Sequence, residues 1–182
     1  MSLASLFRRN RHRDTAMRLY GSIVEQARKP VFFTDFGVPD TFDGRFELVA
    51  LHGFLVLNRL KTEGAKAAEL AQALFDLMFA DFDRSLREMG VGDLGVGRHI
   101  KTMAQGLYGR IGAYEAGLRT EDAAPLAEAL RRNLYGTVSP AESDVEGMAA
   151  YLRRCAAIVA AQPVGGLVAG KVAFAAAPGV AP

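Results

Sequence analysis

The chain of 182 residues is predicted to be all-α. It reads as a single compact domain of about six helices, with a basic N-terminal arm (1–13), a helical body (14–161) and an Ala/Gly/Pro-rich tail (162–182). Three observations predict this. Apolar residues recur at helical spacing over long segments, and the period-two alternation of strands is nearly absent. Glycine and proline punctuate those segments. Half of the residues are hydrophobic and 23% are charged, which excludes a wholly disordered chain. A chain of this length buries about 70% of its unfolded surface and needs no disulfide staple.

The first helix is expected over residues 14–28. Met17, Tyr20, Ile23, Val24 and Ala27 form its apolar stripe, and Lys29-Pro30 stops it. Residues 30–44 read as irregular, pinned to the core by Phe32, Phe33, Phe36 and Phe42. The next helix, 46–61, is apolar almost all round. Glu47 and Asn58 on one side, and Arg45, His52 and Arg59 on another, are its breaks. Such a helix belongs at the centre of a fold.

The longest helix is expected over 65–89, with Leu70, Leu74, Leu77, Met78, Phe82, Leu86 and Met89 on its apolar face. Gly90 suits the left-handed residue that ends it. A helix over 96–116 follows, with the stripe Ile100, Met103, Leu107, Ile111 and Tyr114. Another is expected over 121–134, capped by Thr120. The last, over 140–161, opens on the capping box Ser139-Pro140-Ala141-Glu142. The tail is read as at best partly ordered.

Charge is unevenly spread. The net charge is +2, yet residues 1–29 hold seven Lys/Arg and two acids, whereas the remainder holds 15 basic and 18 acidic side chains. The chain is a +5 arm on a −3 body. Arg8, Arg9, Arg11 and Arg13, beside Leu3, Leu6 and Phe7, suit a contact with an anionic membrane, at about 1 kcal/mol per basic residue, or with the ribosome. No aromatics interleave with them, so sequence-specific nucleic-acid reading, DNA included, is not expected. The arginines follow the short apolar patch, unlike a secretory signal. No run reaches the roughly 20 apolar residues of a membrane span. A cytoplasmic location is expected.

The single cysteine, Cys155, excludes an intramolecular disulfide and any multi-cysteine metal site, and it reads as a core residue. His12, His52 and His99 lie in separate segments without metal-ligand spacing, and His52 suits a hydrogen-bonded core position. The glycines of Gly90–Gly97 match neither a Walker loop nor a dinucleotide fingerprint. No serine sits on a nucleophile elbow. A catalytic site, a cofactor and a metal are therefore not expected.

One residue breaks the pattern. Asp81 falls between Leu74 and Leu77 on the apolar sector of its helix, and a carboxylate there needs a partner. Arg84 and Ser85 lie one turn on. The other candidates form a polar and small stripe of Arg98, Lys101, Gln105, Gly109 and Gly112, and Asp81 is expected to approach this stripe or another base near the turn between the two helices. Asp81-Phe82-Asp83 leaves one enzymatic alternative, a helical enzyme acting on an isoprenoid or lipid substrate, although a second copy of the motif is missing.

Three stretches carry a resemblance. They are Phe46-Glu47-Leu48-Val49 leading to His52, Leu57 and Arg59; Asp81-Phe82-Asp83 through Leu86-Arg87-Glu88-Met89-Gly90-Val91-Gly92-Asp93; and Val96-Gly97-Arg98 with Lys101, followed by Tyr108-Gly109-Arg110. On these the segment 40–118 resembles the ubiquinol–cytochrome c chaperone family, assembly factors for cytochrome b of the bc1 complex. The resemblance implies a helical, non-catalytic protein at the inner-membrane surface, in the matrix if mitochondrial. It would hold cytochrome b or an assembly intermediate, together with a small partner protein. It also implies that Asp81, Asp83, Arg87, Glu88, Gly90, Gly92, Arg98, Lys101, Tyr108 and Arg110 form a partner-binding patch. Ordinary core packing is the first expectation for the phenylalanines of 30–44, and an apolar groove for the client, lined by that segment and the central helix, is the alternative.

Overall fold

The computed structural model describes residues 3–177, and the side chains of that span apart from those of residues 3–10 and Lys66. The helices are α1 (Leu3–Ala27), α2 (Val31–Thr34), α3 (Phe42–Lys61), α4 (Ala65–Glu88), α5 (Asp93–Arg119), α6 (Ala124–Asn133), α7 (Glu142–Ala161) and α8 (Val164–Val168). Among the described residues there is no strand. The all-α single domain expected from the sequence is what forms.

α3 is the central element, as its all-round apolar character requires. It packs against α1, α4 and α7, and Leu48, Leu51, Phe54 and Val56 are buried. It starts four residues earlier than expected. Thr41 is its N-cap, with the side chain accepting a hydrogen bond from the Gly44 amide at 3.2 Å. A Cβ at Gly44 would lie 2.0 Å from the Pro39 carbonyl oxygen, so only glycine lets the incoming chain turn this tightly. The 30–44 segment is accordingly not wholly irregular. α2 forms one helical turn there and buries Phe32, while Phe36 is buried just beyond it.

Other boundaries also differ. α1 extends back to Leu3, so helix runs through the basic arm. Its buried stripe is Ala16, Leu19, Tyr20, Ile23 and Ala27, and Met17 is 48% exposed. The capping box expected before α7 does not form. α7 starts two residues later than expected, with Ala141 as N-cap; alanine has no side-chain acceptor, and Glu142, now at the first helical position, pairs with Arg131 of α6. α6 starts after Asp122, whose carboxylate accepts from the Ala124 amide at 3.0 Å, while Thr120 accepts from the Asp122 amide. Gly90 ends α4 at φ 83°, as expected, with the Val91 amide reaching the Leu86 carbonyl at 3.1 Å.

The reading of the tail is corrected most. α8 forms, and Leu167, Ala175 and Ala177 are buried. The Gln162 side-chain amide grips Ala173 on both sides, donating to its carbonyl and accepting from its N–H, each at 2.8 Å. Residues 178–182 lie outside the described residues.

A buried polar chain ties this tail to the core. The Gln26 amide of α1 donates to the Ala175 carbonyl at 3.1 Å and to the Tyr151 hydroxyl at 2.7 Å. Tyr151 of α7 in turn donates to His52 Nε2 of α3 at 2.7 Å, and His52 Nδ1–H donates to the Leu48 carbonyl at 2.7 Å. This set of bonds needs a neutral imidazole. Burial pushes His52 down to about 4, despite the favourable Leu48 carbonyl. Cys155 is buried nearby as a free thiol, and burial pushes its pKa up.

The unfolded chain therefore binds more protons than the folded one between about pH 6.5 and 4, and stability falls as pH falls through that window. Urea unfolding should lose about 2 kcal/mol between pH 7 and 5 from this group. His52→Gln should flatten that slope. Tyr151→Phe should cost about 2 kcal/mol at pH 7, by leaving two buried groups without their partner.

Candidate partner-binding groove

The start of α3 is where the cover over the central helix is incomplete. A groove of about 490 Å³ opens there between the C-terminal half of α1, the N-terminus of α3 and the end of α4. Val24 and Ala27 of α1, Phe42, Phe46 and Val49 of α3, and Phe82 and Met89 of α4 make its apolar surface. Phe46 and Phe82 meet edge to face, with centroids 4.7 Å apart. The polar groups are Tyr20, Arg28, Asp40, Thr41, Arg45, Asp81, Ser85 and Glu88. Arg28, Asp40 and Arg45 continue into an adjoining depression beside Pro30, Phe33 and Thr34. Of the Phe-rich segment only Phe42 lines this groove, beside the central helix, while Phe32 and Phe36 are packed in the core.

Asp81 is the polar centre of the groove. Its carboxylate accepts from the Tyr20 hydroxyl at 2.8 Å and from Arg84 at 2.6 Å. Burial, and then Asp81 itself, pushes the Tyr20 hydroxyl well above the usual phenol range. Of the partners expected for Asp81, the neighbouring base Arg84 is found and the stripe on α5 is not. Asp81 faces α1, and Arg98, Lys101, Gln105, Gly109 and Gly112 are all solvent-exposed. The wheel placed Asp81 correctly on a packed face but could not say which helix packs there. At the groove's other end Arg45 donates to Asp40 at 2.6 Å, a hydrogen bond that holds the Asp40 carboxyl below its ordinary value.

The ten residues of the expected patch do not form one surface. Asp81 and Glu88 line the groove. Asp83, Arg87, Gly90 and Gly92 build the α4–α5 corner, where Arg87 donates to Asp83 at 2.6 Å and also clasps Asp93. These two carboxylates, Asp83 before Asp93, raise the affinity of the Arg87 guanidinium for its proton. Arg98, Lys101 and Tyr108 lie on the outer face of α5, with Tyr108 stacked on Phe75 at 6.0 Å.

Arg110 turns inward instead. It makes a two-pronged pair with Glu47 of α3, at 2.5 and 2.8 Å, and its guanidinium lies 5.6 Å from the Phe46 ring centroid. Glu47 is 5% exposed. Burial pushes its carboxyl above the ordinary range, and Arg110 pulls it back. In the basic arm, Arg11 and Arg13 are exposed, and the side chains of Arg8 and Arg9 lie outside the described residues.

Sequence reading missed Tyr20, Arg28 and Ser85 as groove residues. Tyr20 sits on a helical apolar stripe and is indistinguishable from a core aromatic until Asp81 is placed opposite it. Among the described residues no group of three His, Cys, Asp or Glu is placed to hold a metal. No helix is long and apolar enough to cross a membrane.

Comparison with known proteins places this geometry in context. A family profile described as Ubiquinol-cytochrome C chaperone matches residues 34–174. The mouse protein named ubiquinol-cytochrome c reductase complex assembly factor 1 is 29% identical over 139 residues, covering 76% of this chain and 47% of its own. The yeast protein CBP3, mitochondrial, is 32% identical over 108 residues, covering 58% of this chain and 32% of its own. This chain therefore spans about half, or less, of those curated relatives. The crystal structure of the Cbp3 homolog from Brucella abortus superposes with a TM-score of 0.84 at 37% identity, covering 99% of this chain and 100% of that one.

The buried pair has a measurable signature. Arg110→Ala should destabilise the fold by about 3–5 kcal/mol, because it strands the Glu47 carboxylate. Replacing both residues with leucine should cost clearly less than either single leucine replacement, since no charge is then left buried alone. Chemical denaturation of Arg110→Ala and of the four proteins in the leucine double-mutant cycle checks both.

Proposed function

This chain belongs to the ubiquinol–cytochrome c chaperone family, and from that premise we propose that it is a non-enzymatic assembly factor of the ubiquinol–cytochrome c reductase complex. Its client is newly made cytochrome b or an early intermediate that contains it. The observation that supports this reading most is the groove at the start of α3. It offers the half-buried Phe42 and the 53% exposed Met89 to an apolar client segment, over a floor of Phe46, Val49 and Phe82 that are 5–7% exposed, with Arg28 and Glu88 as exposed charges at its rim beside the paired Asp40–Arg45 and Asp81–Arg84. A membrane protein awaiting insertion presents this combination of apolar segments with charged flanks.

Asp81 has a positioning role in this proposal. Its bonds to Tyr20 and Arg84 fix the wall that α1 and α4 share. Asp83 and Arg87 hold the corner next to it, and Glu88 and Arg28 set the direction in which a client lies. The names of the relatives connect them with complex assembly, and the apolar floor fits a holding role. A small helper protein and contact of Arg11 and Arg13 with the ribosome or an anionic membrane belong to the same proposal.

Deleting the gene should abolish assembled bc1 complex and leave the other respiratory complexes at normal levels, as read on native gels. A normal bc1 level would refute the assignment. Cytochrome b should co-purify from membranes with the tagged wild-type chain. Arg28→Glu combined with Glu88→Lys touches only exposed groups and should keep the helical content. It should lower the recovered cytochrome b about tenfold or more, the equivalent of roughly 1.4 kcal/mol.

A further inference from the structure

The α4–α5 corner carries apolar side chains that the fold does not use. Leu94, in the first turn of α5, is 91% exposed. Met89, across the turn formed by Gly90–Gly92, is 53% exposed. A leucine left in water at the end of a helical hairpin contributes nothing to the core, and the two side chains together make an apolar knob.

Two cations that the fold leaves unused, Arg98 and Lys101, stand behind the knob on α5, while Arg87 is shared by Asp83 and Asp93. At 100° per residue Arg98 and Lys101 fall about 40° and 20° from Leu94 on the α5 wheel. Both are exposed, and neither has an ion-pair partner among the described residues. The neighbouring acids are largely spoken for. Asp83 and Asp93 are clasped by Arg87, and Asp81 by Arg84. Glu88 is the acid of this corner without a clasp. His99 faces the Gly95 carbonyl of its own helix.

We propose that this corner dips into the surface of an anionic lipid bilayer, with Leu94 and Met89 entering the headgroup layer and Arg98 and Lys101 meeting lipid phosphates. Apolar side chains at a tip with cations set one and two turns behind are the chemistry that binds such a surface. A protein groove is a poorer occupant, because a Leu–Met pair without cations would suffice for it.

The placement is distinct from the basic arm. His12 lies 3.4 Å from Glu69, and Tyr20 contacts Asp81, so α1 and α4 run side by side in the same direction. The arm therefore sits by the start of α4. The corner lies at its far end, about 36 Å away for 24 residues of helix. Met89 also lines the groove, so the groove opens beside the proposed lipid contact. The proposal concerns lipid and stands whether or not the groove's client is cytochrome b.

The chain has no tryptophan, which supplies a site-specific test. Leu94→Trp places a lone fluorophore on the knob, and Val138→Trp, at an exposed site between α6 and α7 (Val138 is 45% exposed), serves as control. With phosphatidylglycerol-containing vesicles the Leu94→Trp emission should move to shorter wavelength and be quenched by brominated acyl chains. The Val138→Trp emission should not move, and pure phosphatidylcholine vesicles should have little effect on either. Arg98→Glu with Lys101→Glu should cut the vesicle-bound fraction about tenfold or more. Three results overturn the proposal: absence of sedimentation with anionic vesicles, sedimentation while Leu94→Trp stays unshifted, and an equal shift on neutral vesicles.

Discussion

α3 has no side that can be left in water, and the arrangement of the other helices follows from covering it. Apolar residues nearly surround its axis, but two of its polar residues, Glu47 and His52, are 5% and 0% exposed. Each needs a partner from outside the helix, since a buried carboxylate or imidazole without one is costly. Arg110 answers Glu47 from α5, and Tyr151 answers His52 from α7. The polar groups thus select which apolar faces meet, a choice that hydrophobic burial alone makes only loosely. Gln26 extends the same chain of bonds to α1 and to the C-terminal segment.

That cover is incomplete at one end, and the gap is where partner binding is assigned. α1 and α4 contact each other along their length, joined at their C-terminal halves by the Tyr20–Asp81 bond. Between them the first turns of α3 leave Phe42, Phe46 and Val49 facing a groove. Thr41 and Gly44 set the angle at which α3 enters, and therefore the width of this opening. The corner that closes α4 and opens α5 stands next to it, stiffened by Arg87 between two carboxylates. Under the proposed function, the groove and the lipid contact would share one end of the molecule.

The residues on which the family resemblance rests fall in two places in the fold. Glu47, His52 and Arg110 belong to the resemblance as much as Asp81 and Glu88 do, yet they are inside the fold. They keep α3 in register with its neighbours, whereas Asp81 and Glu88 reach the groove. Similarity of sequence marked all of them without separating the two roles, because a buried ion pair and an exposed recognition charge have the same letters.

The sequence by itself determined the helical class, the central position of α3, the left-handed stop at Gly90, the core role of Cys155 and His52, and the family. The family came from resemblance to known motifs; the others follow from local pattern: apolar periodicity, an all-round apolar helix, a glycine after the last turn, or a lone residue on an apolar stripe. Tertiary structure decided the partners. The wheel put Asp81 on a packed face, but Tyr20 on α1 and not the α5 stripe received it. Ser139 to Glu142 satisfied the pattern of a capping box, but α7 starts two residues later and Glu142 pairs with Arg131. The tail looked too rich in Ala and Gly to order itself, and it is ordered by Gln26 of α1 and by Gln162 at its own first position. The physical reason is the same in each case. Local sequence sets which groups need a partner, and only the packed fold brings the competing partners within hydrogen-bond distance.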